Sequence, residues 1–271
     1  MRAGIYIYGV ASIAAGILDL IWGDFEVAHQ PIQALGDHIP GREILAYITA
    51  VWLIAGGTMI LWRRTAQAGA AALAAIYFIF AVFWLPRFYT APHVLGFRIP
   101  VLIGVLDGAG TQLILVAAGV IVYALQSSHD STAFGRATLI ARWTFGLSSV
   151  AFGLGHLTDI RSVSAMVPKW MPLGTEFWTV LTGIAFVLAG VSILSGVLDV
   201  IAAKLLALML LVFSALALAP LPFASLHDHV AWGANAYNLA AVGATWIFAK
   251  SLASRRQEPA RRAGTQLAEV A

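Results

Sequence analysis

Histidines and carboxylates are few in this sequence, and their positions are the best guide to where chemistry takes place. Imidazole and carboxylate groups move protons and bind metal ions. Six of the seven histidines fall near the predicted helix ends on one side of the chain's helices, and only His129 falls on the other side. The sequence therefore predicts one specialised polar face, formed by Asp19, Asp24, Glu26, His29, Asp37, His38, Glu43, His93, Asp107, His156, Asp159, Glu176, His227, Asp228 and His229.

Asp107 is the first candidate, because it falls about two helical turns into an apolar stretch that begins near Pro100. A carboxylate inside a membrane helix costs about 2.5–3.5 kcal/mol on insertion scales, so Asp107 is expected to face inward. Two interpretations stay open. Asp107 is either functional, or it is a protonated or Arg98-paired carboxylate that holds helices together.

His156 and Asp159 are three residues apart, which places them on one helix face if the helix continues that far. A carboxylate beside the imidazole would fix its tautomer for a proton relay or a metal ligand. The alternative is an interfacial histidine bonded to its own helix end. Asp19 occupies the equivalent position near the start of the chain, so a common outer cavity for Asp19 and His156 is expected.

Glu43 and Glu176 each follow a glycine and begin a predicted helix. A negative charge in the first turn is favoured by the helix dipole by about 0.3–1 kcal/mol, which alone explains both residues. Their repeated position also makes them candidates for cavity-lining carboxylates.

Three histidines are candidates for a metal site. His93 and His227 each follow a proline-broken helix end, and His229 lies two residues after His227. Alternate residues of an extended loop point the same way, so His227 and His229 are able to bind one zinc, copper or iron ion together with carboxylates. A solvated or pH-responsive loop is the other interpretation.

Three tryptophans stand in or beside two long outer loops, 23–43 and 158–176. Each loop is expected to form a short helix at the lipid–water interface. The alternative is a lid over a quinone or lipid pocket, with Trp22, Trp170 and Trp178 as its walls.

Composition excludes most soluble functions. Hydrophobic residues make up 60% and charged residues 11% of the 271 residues, against about 45–50% and about 25% in soluble domains. Cysteine is absent, which excludes disulfides, thiolate catalysis and cysteine-ligated clusters. Nucleotide-binding and hydrolase motifs are also absent from the sequence. The net charge is +3, and the four tail residues Arg255, Arg256, Arg261 and Arg262 exceed this excess, which indicates an anchor beside anionic lipid rather than a nucleic-acid partner.

The apolar stretches predict an all-α, polytopic membrane protein with eight transmembrane helices. A membrane helix needs about 20 apolar residues. Five of the 16 Lys and Arg residues fall on the polar face described above (Arg42, Arg87, Arg98, Arg161 and Lys169), so the positive-inside rule predicts that both termini are cytoplasmic. We expect a plasma membrane of the bacterial inner-membrane type. The predicted spans are 4–22, 44–62, 67–85, 100–126, 138–157, 177–197, 200–219 and 231–249.

The two halves of the chain repeat each other. The segment from Ser12 to Asp19 matches Ser149 to His156, Gly41 to Gly57 matches Gly174 to Gly190, and Pro86 and His93 match Pro220 and His227. An even number of helices in each unit gives both units the same orientation. The predicted organisation is two parallel four-helix bundle units, 1–126 and 138–250, a cytoplasmic linker 127–137, and a disordered basic tail 251–271.

The second half resembles the DoxX-like membrane protein family. The resemblance rests on Gly153-Leu-Gly-His156, on Met166-Val-Pro-Lys-Trp-Met-Pro172, and on Phe177-Trp178 and Gly183. In the first half Asp19 replaces the histidine. The resemblance implies a four-helix unit and, as in some members, a membrane subunit of quinone-linked sulfur oxidation or of a redox-stress complex.

Three functions are therefore predicted in order of preference. The first is a redox-associated membrane subunit with a partner redox subunit and a quinone or bound metal, in which Asp19, His156, Asp159 and the two glutamates handle protons or hold the metal. The second is a small-solute or proton-coupled transporter that uses Asp107 and Asn238. The third is a non-catalytic scaffold for a partner subunit.

Overall fold

The residues that the computed structural model describes, 1–26, 40–127 and 131–270, are mostly helical. No strand occurs within these ranges, which confirms the all-α prediction there. The helices are α1 (Arg2–Trp22), α2 (Arg42–Leu61), α3 (Ala66–Trp84), α4 (Arg87–Leu95), α5 (Ile99–Gln126), α6 (Ser131–Thr158), α7 (Ile160–Ser164), α8 (Thr175–Ser195), α9 (Asp199–Phe213), α10 (Leu221–Ala224) and α11 (His229–Val270). A π-helical turn, Ser214–Leu218, joins α9 to α10.

Seven of the described helical segments are long and apolar enough to cross a membrane. They are α1, α2, α3, α5, α6 from Thr132 onward, α8, and the continuous stretch Asp199–Ala224. The eighth predicted span lies in α11 and is not among the seven, because Asn235, Tyr237 and Asn238 interrupt its apolar sequence. Large apolar side chains such as Ile140 and Leu188 are exposed on the outer surface, as expected of helices that face lipid. The chain is a multi-pass membrane protein.

The helices pack in chain order. Each of the long helices α1, α2, α3, α5, α6, α8, α9 and α11 contacts the next, and α11 returns to contact α1 and also α5. Helix ends therefore gather on two sides. The terminus side holds Met1 and the connections 62–65 and 196–198, and the loop side holds the connections 85–98, 159–174 and 219–228.

Glycines allow two helix pairs to approach closely. A Cβ at Gly57 would lie 2.6 Å from the Gly9 carbonyl oxygen, and one at Gly190 would lie 2.7 Å from that of Gly146. Only glycine permits such contact between the backbones of α1 and α2 and between those of α6 and α8. These pairs form a rigid frame on which polar side chains are held.

The helix bounds extend into two segments that the sequence assigns to other roles. α6 includes residues 131–137 of the predicted linker, because Phe134 and Ala137 pack against the hydrophobic core. α11 runs to Val270, so the backbone of the predicted tail is helical up to that residue. The division of the chain into two units is not tested by these bounds and stays a prediction.

Candidate functional site

A cavity of about 720 Å³ lies on the side of the bundle formed by α5, α6, α8, α9 and α11. Most of its lining is apolar, and residues 163–171 of the loop side contribute part of the wall. A cavity of this volume falls within the range of small-molecule sites, about 300–1,000 Å³. Its polar side chains are Asp107, Thr111, His156, Asp159, Thr179, Thr182, Tyr237 and Asn238.

Asp107 projects from α5 towards the backbone of α6 at Gly155. A Cβ at Gly155 would collide with Asp107 Oδ2, so the glycine makes room for the carboxylate. Asp107 Oδ1 is buried and has no hydrogen-bond partner among the described residues. Arg98, the partner considered from the sequence, donates instead to the Leu95 carbonyl oxygen at 3.2 Å. A buried oxygen without a partner is uncommon and indicates a position where a ligand or water binds.

His156 is next to Gly155 in the chain, and it also lines the cavity. Its Nδ1 donates to the Phe152 carbonyl oxygen at 2.8 Å, which is the bond to its own helix predicted as the alternative interpretation. The ring lies 5.1 Å from that of Phe186 and 6.4 Å from that of Phe213, centroid to centroid. This bond fixes the tautomer and leaves Nε2 as the nitrogen that accepts a proton.

Asp159 also lines the cavity, although it is not on the helix of His156. The helix does not continue as far as Asp159, because α6 ends at Thr158 and Asp159 caps the next helix, α7, by accepting from the Ser162 N–H. The cap still holds the carboxylate at the cavity wall. The two residues therefore share a cavity lining but not a helix.

Asn238 and the π-helical turn contribute to another part of the cavity wall. Asn238 Nδ2 donates at 2.8 Å to the Leu210 carbonyl oxygen and at 2.8 Å to Ser214 Oγ, where the π turn begins. A π turn inserts one extra residue and often occurs at functional sites. The widened turn brings Phe213, Leu216 and Leu218 into the cavity wall.

The three predicted tryptophans separate in the structure. Trp178 lines the cavity, and its Nε1 donates to the Pro172 carbonyl oxygen at 2.7 Å. Trp170 is 67% exposed and is not part of the lining. Trp22 belongs to a different cluster, in which its ring stacks on that of His229 at 4.9 Å.

Asp19 lies in that second cluster and not in the cavity lining. It is fully buried, and its Oδ1 lies 3.3 Å from His229 Nε2. The Glu26 N–H donates to the same oxygen at 3.0 Å. Trp22 Nε1 donates to the His227 carbonyl oxygen at 3.4 Å. This cluster joins the end of α1 to the start of α11 on the loop side.

Glu26, which belongs to the predicted polar face, is a buried member of this cluster. Its side chain fills the space beside Gly233 of α11, where a Cβ would collide with Glu26 Cγ. Arg87 is near enough to be influenced by Glu26 and lies 4.0 Å from the ring centroid of Trp84. Burial lowers the pKa of Arg87, and the charge of Glu26 opposes that change.

The remaining predicted residues lie outside the cavity lining. Glu43 and Glu176 are exposed in the first turns of α2 and α8, and Glu43 accepts from Tyr47 Oη at 3.1 Å. His93 is exposed, and its Nδ1 donates to the Tyr89 carbonyl oxygen at 2.6 Å. His227 is exposed as well.

Within the described ranges, no three His, Cys, Asp or Glu side chains form a group that could hold a metal ion. His29, Asp37 and His38 of the predicted polar face lie outside the described residues. The described residues therefore offer no donor set for the metal hypothesis, whereas the cavity gives a binding hypothesis a defined volume and lining.

Fold and cavity together define a multi-pass helical membrane protein with an apolar cavity that contains a carboxylate and an imidazole. No family model matches the chain, and neither a curated protein nor a solved structure matches it. The DoxX-like resemblance stays a prediction.

Proposed function

We propose that the cavity binds the ring-bearing head group of a membrane-soluble molecule of the quinone class, and that the protein is a redox-associated membrane subunit. The observation that carries this proposal is Asp107 Oδ1, buried without a hydrogen-bond partner among the described residues, in a mostly apolar cavity that His156 also lines. Sites for small molecules combine apolar walls with a few well-placed polar groups.

In such a site, the aromatic residues contact the ring of the ligand and the ionisable residues handle protons. The rings of Phe186 and Phe213 and the indole of Trp178 form flat walls for a planar ring. Asp107 at Oδ1 and His156 at Nε2 hold or move the protons that accompany reduction of a ring carbonyl. A bound quinone supplies two-electron, two-proton chemistry, and a partner subunit is the expected source of electrons.

The second hypothesis is a transporter. The cavity supports it less well than a binding site, because its polar lining does not continue towards the terminus side. A path between the two sides requires polar groups that continue towards the terminus side. The lining includes Thr111 but neither Gln112 nor Thr245, both of which are fully buried. A scaffold role does not explain why Asp107 Oδ1 is buried without a hydrogen-bond partner among the described residues.

We also propose that the chain is built from two equivalent four-helix units, in line with the DoxX-like resemblance. The close approaches Gly9–Gly57 and Gly146–Gly190 occur at positions that correspond in the sequence repeat. In each half the packing order is the same, α1–α2–α3–α5 and α6–α8–α9–α11. The proposed location is a plasma membrane of the bacterial inner-membrane type, with cytoplasmic termini.

The proposed function is tested by purifying the protein in mild detergent and extracting its lipids for quinone and metal analysis. A short-chain ubiquinone is then titrated by calorimetry. We expect saturable binding to the wild type. Asp107→Asn and His156→Gln should each weaken it about tenfold, the effect of losing about 1.4 kcal/mol of binding free energy.

His93→Gln is the matched control, because His93 is exposed and outside the cavity lining. Its affinity for the ubiquinone should equal that of the wild type. Absence of extracted quinone together with an unsaturable titration contradicts the proposal. Equal weakening by all three variants would show a general loss of folding and contradict the site.

A further inference from the structure

A second group of charged side chains lies on the terminus side, far along α6 from the cavity residues. Asp199, the first residue of α9, is fully buried. Its Oδ2 lies 2.6 Å from Arg142 Nη2 of α6, and its Oδ1 lies 2.7 Å from Arg256 Nη2 of α11. One carboxylate therefore holds two guanidinium groups together across three helices.

The arginines have more donors than Asp199 uses. Arg142 Nε is buried and has no hydrogen-bond partner among the described residues. Arg256 Nη2 also donates to the Gly196 carbonyl oxygen at 2.7 Å, which fixes this guanidinium against the connection between α8 and α9. Arg255 is adjacent and exposed. Three positive charges against one negative charge leave this group cationic.

These side chains enclose a pocket of about 300 Å³ lined by Leu139, Arg142, Leu252, Arg255 and Arg256. Three arginine side chains line this one small pocket, and arginine binds phosphate groups through several parallel hydrogen bonds. The pocket is at the end of the apolar helices, where the head groups of a bilayer lie.

Apolar side chains continue from the pocket along the outer surface of α6. Leu139 is 49% exposed and Trp143, one turn further, is 57% exposed. An acyl chain is able to follow this surface while its phosphate stays at the arginines. Free phosphate has no apolar part that could contact this surface. The exposed apolar side chains beside the pocket therefore favour a lipid as the ligand.

We propose that this pocket binds the phosphate of an anionic phospholipid, held by Arg142, Arg255 and Arg256 with its acyl chains against Leu139 and Trp143. The buried Asp199 positions two of the arginines and does not contact the lipid. This site is separate from the cavity and does not depend on the function proposed for it.

The test is native mass spectrometry of the full chain from detergent, with phosphatidylglycerol or phosphatidylcholine added in equal amounts. The wild type should retain one phosphatidylglycerol in preference to phosphatidylcholine. Arg255→Gln leaves the Asp199 pairs intact and should weaken phosphatidylglycerol binding about fivefold, since a basic residue near a membrane surface contributes about 1 kcal/mol. Arg142→Gln should weaken it further.

Arg136→Gln is the matched control, because Arg136 is exposed on the same helix and outside the pocket lining. It should bind phosphatidylglycerol like the wild type. Equal losses in Arg136→Gln and Arg255→Gln, or equal retention of both lipids by the wild type, would overturn the proposal. Displacement of the lipid by millimolar inorganic phosphate would assign the pocket to a free anion. If Arg142→Gln does not fold, Arg255→Gln alone decides.

Discussion

The position of Asp107 on α5 depends on Gly155, which faces it from the neighbouring helix α6. A Cβ at Gly155 would collide with Asp107 Oδ2. We expect Gly155→Ala to destabilise the protein by about 1–3 kcal/mol, the usual cost of overpacking. The measurement is thermal unfolding in detergent, together with ubiquinone titration, which should lose affinity as the carboxylate moves.

Two further variants show whether the cost of Gly155→Ala comes from the collision with the Asp107 carboxylate or from general packing. Gly104 lies on α5 and lines the same cavity, and a Cβ there meets nothing within 4 Å, so Gly104→Ala should leave the unfolding temperature unchanged or slightly raised. In an Asp107→Ala background, Gly155→Ala should cost much less. An undiminished cost in that background would contradict this account of Asp107.

Asp19 and His229 join the first and last long helices on the loop side. Asp19 is fully buried and its Oδ1 lies 3.3 Å from His229 Nε2, so losing the imidazole removes a polar neighbour of a buried carboxylate. His229→Ala should lower the free energy of unfolding by about 1–3 kcal/mol. Chemical denaturation in detergent measures this.

His227→Ala is the control for His229→Ala, since His227 is exposed and contributes its backbone carbonyl to the bond from Trp22. It should be neutral. The metal hypothesis makes the opposite prediction for this pair. If added zinc stabilises the wild type and either substitution abolishes that gain, the cluster holds a metal rather than an ion pair.

At the scale of elements, Asn238 fixes the π-helical turn that widens the cavity. Its side chain donates to both the Leu210 carbonyl and Ser214 Oγ. Asn238→Ala should cost about 1–2 kcal/mol of stability and weaken ligand binding, because each buried hydrogen bond contributes about 0.5–1.5 kcal/mol. Thermal unfolding and ubiquinone titration measure the two effects.

Asn235, one turn earlier on α11, provides the comparison for Asn238. Its Oδ1 is buried without a hydrogen-bond partner in the described part of the chain. Asn235→Ala should therefore be neutral or stabilising. A larger loss for Asn235→Ala than for Asn238→Ala would show that the π turn is maintained without the amide.

Hydropathy locates the membrane helices because each long apolar run has no other way to satisfy its backbone than an α-helix. The predicted limits 44–62 and 100–126 lie within two residues of α2 and α5. Inward-facing Asp107 follows from the same energetic argument. The π turn at Ser214–Leu218 has no local sequence signal, because it depends on Asn238, 24 residues later.

The partners of the polar side chains depend on tertiary contacts, which the sequence pattern does not reveal. Asp19 and His156 match in the repeat, yet Asp19 pairs with His229 while His156 bonds to its own helix. Asp199 begins an apolar stretch and resembles an ordinary first-turn carboxylate. Its importance comes from Arg142 and Arg256, whose sequence positions give no indication that they converge on it.

At the scale of the whole molecule, the proposed repeat matches the order of the helices but not the packing of every matched side chain. With Pro86 matched to Pro220, Tyr77 and Phe80 of α3 correspond to Leu211 and Ser214 of α9. Both rings of the first half are buried in the core. Leu211, by contrast, is 44% exposed, and neither Leu211 nor Ser214 lines the cavity, so matched positions of the two proposed units have different surroundings.

The orientation of the molecule can be measured directly because the chain contains no cysteine. Thr65 is exposed on the terminus side and Ser225 is exposed on the loop side, so Thr65→Cys and Ser225→Cys each introduce one thiol without disturbing the core. With most Lys and Arg residues on the terminus side, the positive-inside rule predicts that this side is cytoplasmic. In intact cells a membrane-impermeant maleimide should label Ser225→Cys and not Thr65→Cys, and both should react after the membrane is permeabilised. The reverse pattern would place the cavity mouth and the Asp19 cluster in the cytoplasm, and labelling of both in intact cells would contradict an odd number of helices between them.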